Sequence, residues 1–163
     1  MYIVLEQQVS LASARAAYDR LCALASPLIP ERFLELDDIT LKSVGFSRQK
    51  TAYGRHLAEA IIQGRFSFDA VAVMDDDSAK SELIKLKGIG SWTADIYLLM
   101  ALRRPDIWPT GDLALATAVR QVKRKRSPLT TDALEALSQP WKPWRAVAAR
   151  ILWHYYLSRR GRE

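Results

Sequence analysis

Residues that hold metals and cross-links are scarce in this sequence. Cys22 is its one cysteine, and His56 and His154 are its two histidines. A single cysteine excludes an internal disulfide and a cysteine-held iron–sulfur cluster, and it points to a reducing, cytoplasmic setting. Neither histidine has a partner at metal-ligand spacing, so both read as surface or core residues. No apolar run is long enough to span a bilayer, and no charged-then-apolar leader precedes a cleavage site, so no membrane partner is expected. Acids are the scarcer charge: 18 Asp and Glu against 24 Lys and Arg leave a formal charge of +6. That balance favours an anionic partner, nucleic acid first, although basic composition also serves solubility.

What is present is apolar and helical. The 163 residues are 49% hydrophobic, enough for one compact domain built as two small lobes. Every periodic segment reads as helix, so the fold class is all-α. Residues 1–5 are apolar with no capping residue ahead of them. Residues 10–25 turn Leu11, Ala14, Ala17, Tyr18, Leu21 and Leu24 inward and Arg15, Asp19 and Arg20 outward, with Cys22 in the core. Pro27 and Pro30 break the chain before helices at 31–36, 38–44, 48–63 and 66–74. Asp75, Asp76 and Asp77 cap the next helix; consecutive acids diverge from a helix start, which makes a poor metal site. Leu113, Leu115, Ala116, Val119 and Val122 mark a helix that ends in Lys123-Arg124-Lys125-Arg126, a run that complements the helix dipole. Thr130 or Thr131 caps a helix to 137. Residues 141–156 close the domain with Val147, Ile151, Leu152 and Tyr155 inward, before a basic tail at 159–162.

One stretch organises the chain. Leu83, Ile84 and Leu86 end a helix, Gly88-Ile89-Gly90 breaks it, and Ser91 caps a second helix carrying Trp92, Ile96, Leu99 and Met100. This is a helix-hairpin-helix over 83–101. The glycines permit a sharp turn and a close approach, Ile89 anchors the turn, and the amides opening the second helix suit a phosphate. A plain helix–helix connection accounts for the same spacing. Leu41-Lys42-Ser43-Val44-Gly45 echoes the motif with one glycine, a relic hairpin in which Ser47, Arg48 and Lys50 start a solvated helix or touch a phosphate.

Leu86-Lys87-Gly88-Ile89-Gly90-Ser91-Trp92-Thr93-Ala94, followed by Pro109-Thr110-Gly111-Asp112-Leu113-Ala114, resembles the helix-hairpin-helix (HhH-GPD) DNA glycosylase superfamily, in particular its 3-methyladenine DNA glycosylase II branch. Supporting matches lie at Glu6-Gln7-Gln8-Val9-Ser10, at Gly45-Phe46-Ser47-Arg48-Gln49-Lys50 and at Trp141-Lys142-Pro143-Trp144-Arg145. They run in order along nearly the whole chain. The resemblance implies a single glycosylase domain over 1–163, with two helical lobes flanking a DNA-binding cleft. On that resemblance, helices upstream of residue 1 and the small β-domain of some members are expected to be missing. A shortened first lobe is therefore expected to expose apolar surface, which invites self-association.

The same resemblance assigns roles. Asp112, on local grounds a helix N-cap, becomes the catalytic carboxylate that stabilises an oxocarbenium-like sugar and orients or deprotonates water. Lyase-competent relatives place a nucleophilic lysine where Trp92 stands; Lys85 and Lys87 precede the turn, which implies a monofunctional enzyme working on alkylated purines. The target base must leave the stack, and Trp153 aligns with the aromatic wall of the base pocket, where an indole suits a cationic base. Ordinary core packing also accounts for Trp153 and for Trp92. Ile96 occupies the place of a second aromatic in some relatives, with Tyr97, Tyr155 and Tyr156 as substitutes. DNA contacts are expected from Gln7 and Gln8 at the minor groove, with Gln8 filling the gap of the extruded nucleotide, and from Gly88, Ile89, Gly90, Ser91 and Thr93 on a phosphate. Glu6 sets an acid beside that surface. No cofactor is required; a structural Na+ or K+ on the carbonyls of Ile84, Leu86 and Ile89 is implied. The expected partner is double-stranded DNA with damaged bases. Two other readings remain open on the residues alone: a non-catalytic hairpin DNA-binding module, and a glycosylase for deaminated or oxidised bases.

Overall fold

A computed structural model describes residues 1–160, excluding the Arg160 side chain; Gly161 and Arg162 of the sequence-predicted basic tail lie outside the described residues. Eleven α-helices and no strand occur among the described residues. They are α1 Tyr2–Glu6, α2 Leu11–Leu24, α3 Pro30–Glu35, α4 Asp38–Ser43, α5 Arg48–Ile62, α6 Phe68–Val73, α7 Asp76–Ile84, α8 Ser91–Ile96, α9 Leu113–Val122, α10 Thr131–Ser138 and α11 Arg145–Arg160. A π-turn at Tyr97–Ala101 prolongs α8, and a 3₁₀ turn at Gln139–Trp141 follows α10. No helix among the described residues is long and apolar enough to cross a membrane.

Side-chain caps set most helix starts. Ser10, Asp37, Ser47, Ser67, Asp75, Asp112 and Thr130 each accept a hydrogen bond from the amide three residues on. Each satisfies a donor that the first turn leaves without a helical partner, worth about 1 kcal/mol.

The chain divides into two compact units, Met1–Thr93 and Ala94 onward. In the first, α5 packs on α1, α3 and α4 around Leu5, Ala14, Leu21, Phe33, Leu41 and Phe46. Gly54 permits the α3–α5 contact, because a Cβ there would lie 2.6 Å from the Phe33 ring. Leu11 and Leu24, expected to point inward, are 54% and 53% exposed. They are the terminal residues of α2, and the buried stripe between them is the narrower Ala14, Ala17 and Leu21.

In the second unit α11 packs on α9. It starts at Arg145 rather than at Trp141, which belongs to the 3₁₀ turn. Its buried residues are Ala146, Ala149 and Leu152, whereas Val147 and Ile151, expected inward, are 46% and 64% exposed. At 3.6 residues per turn the two faces oppose each other. Small alanines let helices approach, so the apolar stripe of larger side chains marks the wrong face. Ile151→Ser is therefore expected to change stability by no more than about 0.5 kcal/mol, and Ala149→Leu to lower it by about 1–3 kcal/mol, read from urea unfolding.

Candidate active site

The first unit holds the hairpin. After α7, Leu86 N–H donates to Leu83 O and Ile89 N–H to Leu86 O at 3.0 Å. Gly88 has φ +88°, and a Cβ there would lie 2.2 Å from Cγ of Tyr53. Both backbone and packing therefore demand glycine. Gly90 differs: a Cβ there meets nothing within 4 Å. Ser91 is the first residue of α8 rather than its cap, and it is exposed. Ile89 and Trp92 are half-buried and Thr93 is buried.

Gln7 braces this turn. Its Nε2 donates to Gly88 O at 2.9 Å and to Thr93 Oγ1 at 3.0 Å. The neighbouring Gln8 is exposed with φ +58°, a conformation uncommon outside glycine. On the other side Lys50 Nζ donates to Leu5 O at 2.6 Å, and burial pulls the Lys50 ammonium below its usual range. Lys50 thus caps the end of α1 instead of standing at a solvated helix start. Burial raises the Glu6 carboxyl, while a hydrogen bond with Tyr2 acts the other way. Of the expected cation ligands, the Leu86 carbonyl already accepts the Ile89 amide. No cluster of three or more His, Cys, Asp or Glu side chains that could hold a metal occurs among the described residues.

The second unit holds Asp112. Trp108 and Pro109 bury the loop before it, with the Trp108 and Trp141 rings 5.4 Å apart. Asp112 N–H donates to Pro109 O at 3.0 Å, and Asp112 Oδ1 accepts from Leu115 N–H at 2.7 Å. The same Oδ1 accepts from Trp153 Nε1–H at 3.1 Å. Two donors from different helices thus fix the carboxylate, half-buried, at the positive end of α9. Such a group can face developing positive charge and orient a water. Trp153 is half-buried and committed through its indole edge, while Ile96 is buried at the head of the π-turn.

Arg145 anchors the loop from behind. Its Nε and Nη2 donate to the two carboxylate oxygens of Asp106 at 2.8 and 3.0 Å, Nη1 donates to Glu135 Oε1 at 3.0 Å, and Nη2 also reaches Asp106 O at 2.9 Å. Glu135 in turn accepts from Thr110 Oγ1 at 3.3 Å. The clamp ties α10 and α11 to the segment that presents Asp112. Sequence reasoning missed it, as it missed the Trp153–Asp112 and Gln7–hairpin bonds. Their partners lie 39, 41 and 81 positions apart, where no local period reports them.

The sequence profile described as "HhH-GPD superfamily base excision DNA repair protein" matches residues 1–143. The chain belongs to this superfamily. Over 124 residues it is 32% identical to the Bacillus subtilis protein YfjP, covering 76% of this chain and 43% of that protein. It is 29% identical over 155 residues to the Schizosaccharomyces pombe alkylbase DNA glycosidase-like protein mag2, covering 92% of this chain and 73% of mag2. Among solved HhH-GPD structures, the S. pombe 3-methyladenine DNA glycosylase Mag1 in complex with abasic DNA superposes with a TM-score of 0.87 at 27% identity, over 93% of this chain and 76% of that one. The all-α, HhH-GPD fold expected from the sequence is therefore the fold observed. The chain spans less than half the length of YfjP.

Two predictions follow from this geometry. Gly88→Ala is expected to destabilise the protein by more than about 2 kcal/mol and Gly90→Ala by less than about 0.5 kcal/mol, measured by urea unfolding. The hydrogen-bonded Arg145 guanidinium holds the Asp106 carboxyl below the usual range, against an opposing effect of burial. A carboxyl depressed in the folded state adds stability above its unfolded pKa, near 4, and loses it as pH falls through the folded value. Melting between pH 6 and 3 is therefore expected to show a smaller acid-induced drop for Asp106→Asn, from a lower starting Tm.

Proposed function

We propose that this chain is a monofunctional DNA glycosylase that removes alkylated purines, of the 3-methyladenine type, from double-stranded DNA. The observation that carries the reading is the doubly anchored Asp112 carboxylate at the loop-to-helix position, 22 residues beyond Gly90 of the hairpin. The names of the relatives support the substrate class, including a Bacillus subtilis DNA-3-methyladenine glycosylase that is 30% identical over 123 residues.

In the proposed reaction the C1′–N bond of the extruded nucleotide breaks and the base leaves with the bonding electrons. A cationic alkylated base departs neutral and needs no general acid. Asp112 faces the positive charge building on the sugar and orients the water whose oxygen bonds to C1′. The water's proton passes to Asp112 or to solvent, leaving an abasic site in an intact strand. Trp92 stands where lyase-competent relatives carry lysine, which supports hydrolysis over Schiff-base chemistry. The edge of Trp153 is engaged with Asp112, so stacking on a base would use its ring faces. Gln8 would enter the minor groove, braced by the neighbouring Gln7, and hairpin amides would take a phosphate. The carbonyls of Ile84, Leu86 and Ile89 would hold a Na+ or K+, whose positive charge would favour a phosphate at the hairpin.

Release of methylated purines from alkylated duplex DNA tests the reading. Asp112→Asn is expected to lower the single-turnover rate at least about a hundredfold while DNA binding and folding persist. Trp153→Phe keeps a ring but removes the donor, and is expected to cost roughly tenfold. A parent chain that binds duplex but releases no base from alkylated, deaminated or oxidised DNA would be a binding module, and the catalytic reading would fall.

A further inference from the structure

Three helices of this protein end in the same main-chain cap. After α4, Gly45 N–H donates to Lys42 O and Phe46 N–H to Leu41 O; after α5, Gly64 donates to Ile61 and Arg65 to Ala60. After α9, Arg124 donates to Gln121 and Lys125 to Arg120. The middle residue of this cap takes a positive φ, which glycine adopts freely and a side chain resists. Gly45 and Gly64 stand at +108° and +67°, whereas Arg124 stands at +52°. The α9 carbonyls are already met by main-chain amides, so its end does not need cationic side chains as caps. Arginine stands where glycine would be easier, and strain of this kind points to function.

The surroundings show what the charge is for. Lys123 Nζ lies 5.3 Å from the ring centroid of Trp141, which fixes the first residue of the turn. Arg124, Lys125 and Arg126 are exposed, and none has an ion-pair partner among the described residues. Residues 1–93 hold 11 Lys and Arg against 12 Asp and Glu, and residues 94–163 hold 13 against 6, so the second stretch carries +7 and the first −1. The turn lies at the opposite end of the ten-residue α9 from Asp112. That is about 15 Å of helix, the rise of a few base pairs of duplex.

We infer that the Lys123–Arg126 turn is a second, sequence-independent contact for the phosphate backbone of duplex DNA, away from the extruded nucleotide. The inference rests on the proposal that this chain acts on DNA, and it stands apart from the chemistry assigned to Asp112. Neutralising the turn therefore weakens binding without slowing base release once the enzyme is saturating.

The test compares the full chain with Arg124→Gly/Lys125→Gln/Arg126→Gln and with Arg124→Gly alone, on a long undamaged duplex over a range of salt. Because glycine relieves the positive φ, Tm is expected to hold or rise in Arg124→Gly. At about 0.9 per phosphate contact, the slope of log K against log salt is expected to flatten by roughly two to three in the triple variant and by about one in the single. Affinity near 0.1 M salt falls about tenfold or more in the triple variant. A charge-matched control in the other unit, Arg15→Gln/Arg32→Gln/Arg65→Gln, is expected to leave the slope nearly unchanged. An unchanged slope in the folded turn variants overturns the inference, as does equal flattening by the control. A parent chain that binds duplex but releases no base would sink the catalytic reading and leave this one standing.

Discussion

The bidentate pairing of Arg145 with Asp106 is the constraint on which the second unit depends. Arg145 is the first residue of α11, Asp106 lies in the connection before Asp112, and Glu135 on α10 takes the remaining arm of the guanidinium. One planar cation thereby fixes three chain segments, two of which are also joined by the main-chain bond from Ala146 N–H to Pro105 O at 2.9 Å. Both carboxylates retain some exposure, so the cost of stripping water from the charges is partial while the geometry stays specific. Once the loop is held, the buried Trp108 and Pro109 set where α9 starts, and Asp112 inherits its position from them.

The two units solve the same problem with different means. In the first, a polar side chain reaches into a turn: the Gln7 amide satisfies a hairpin carbonyl and a threonine hydroxyl, while the Tyr53 ring covers Gly88. In the second, an ionic clamp works from behind and an indole works from the front. In both units a candidate site residue is held by others far away in sequence. Preorganisation of this kind lets a carboxylate or an amide meet a ligand without first ordering itself.

Helix content and several helix starts were legible because caps are local: Asp75, Asp112 and Thr130 lie within four residues of the amides they bind. The hairpin was legible from Gly88 and Gly90 between two apolar-periodic segments, although Ser91 opens α8 and does not cap it. The rotational phase of α11 was not, since Ala146 and Ala149 carry less hydrophobic weight than Val147 and Ile151 yet face the core. Long-range polar partners were invisible too. Trp153 was read as an aromatic surface, whereas the structure adds a donor aimed at Asp112. Arg124 illustrates a subtler limit, because its residue type suggests charge and only its backbone angle shows that the position belongs to glycine.

The π-turn at Tyr97–Ala101 carries one residue more than an α-helix of the same rise would need, with Leu102 N–H reaching back to Tyr97 O at 3.2 Å. Such a surplus is what a single-codon insertion leaves behind when the flanking turns stay in register. Here it lets Leu98 and Leu99 both face the interior while Leu99 O points to Arg150 Nη2 at 2.8 Å. Removing one residue would rewind the segment as a regular helix and swing everything downstream by roughly 100°. The bulge thus sets which side chains beyond it face the core of the second unit.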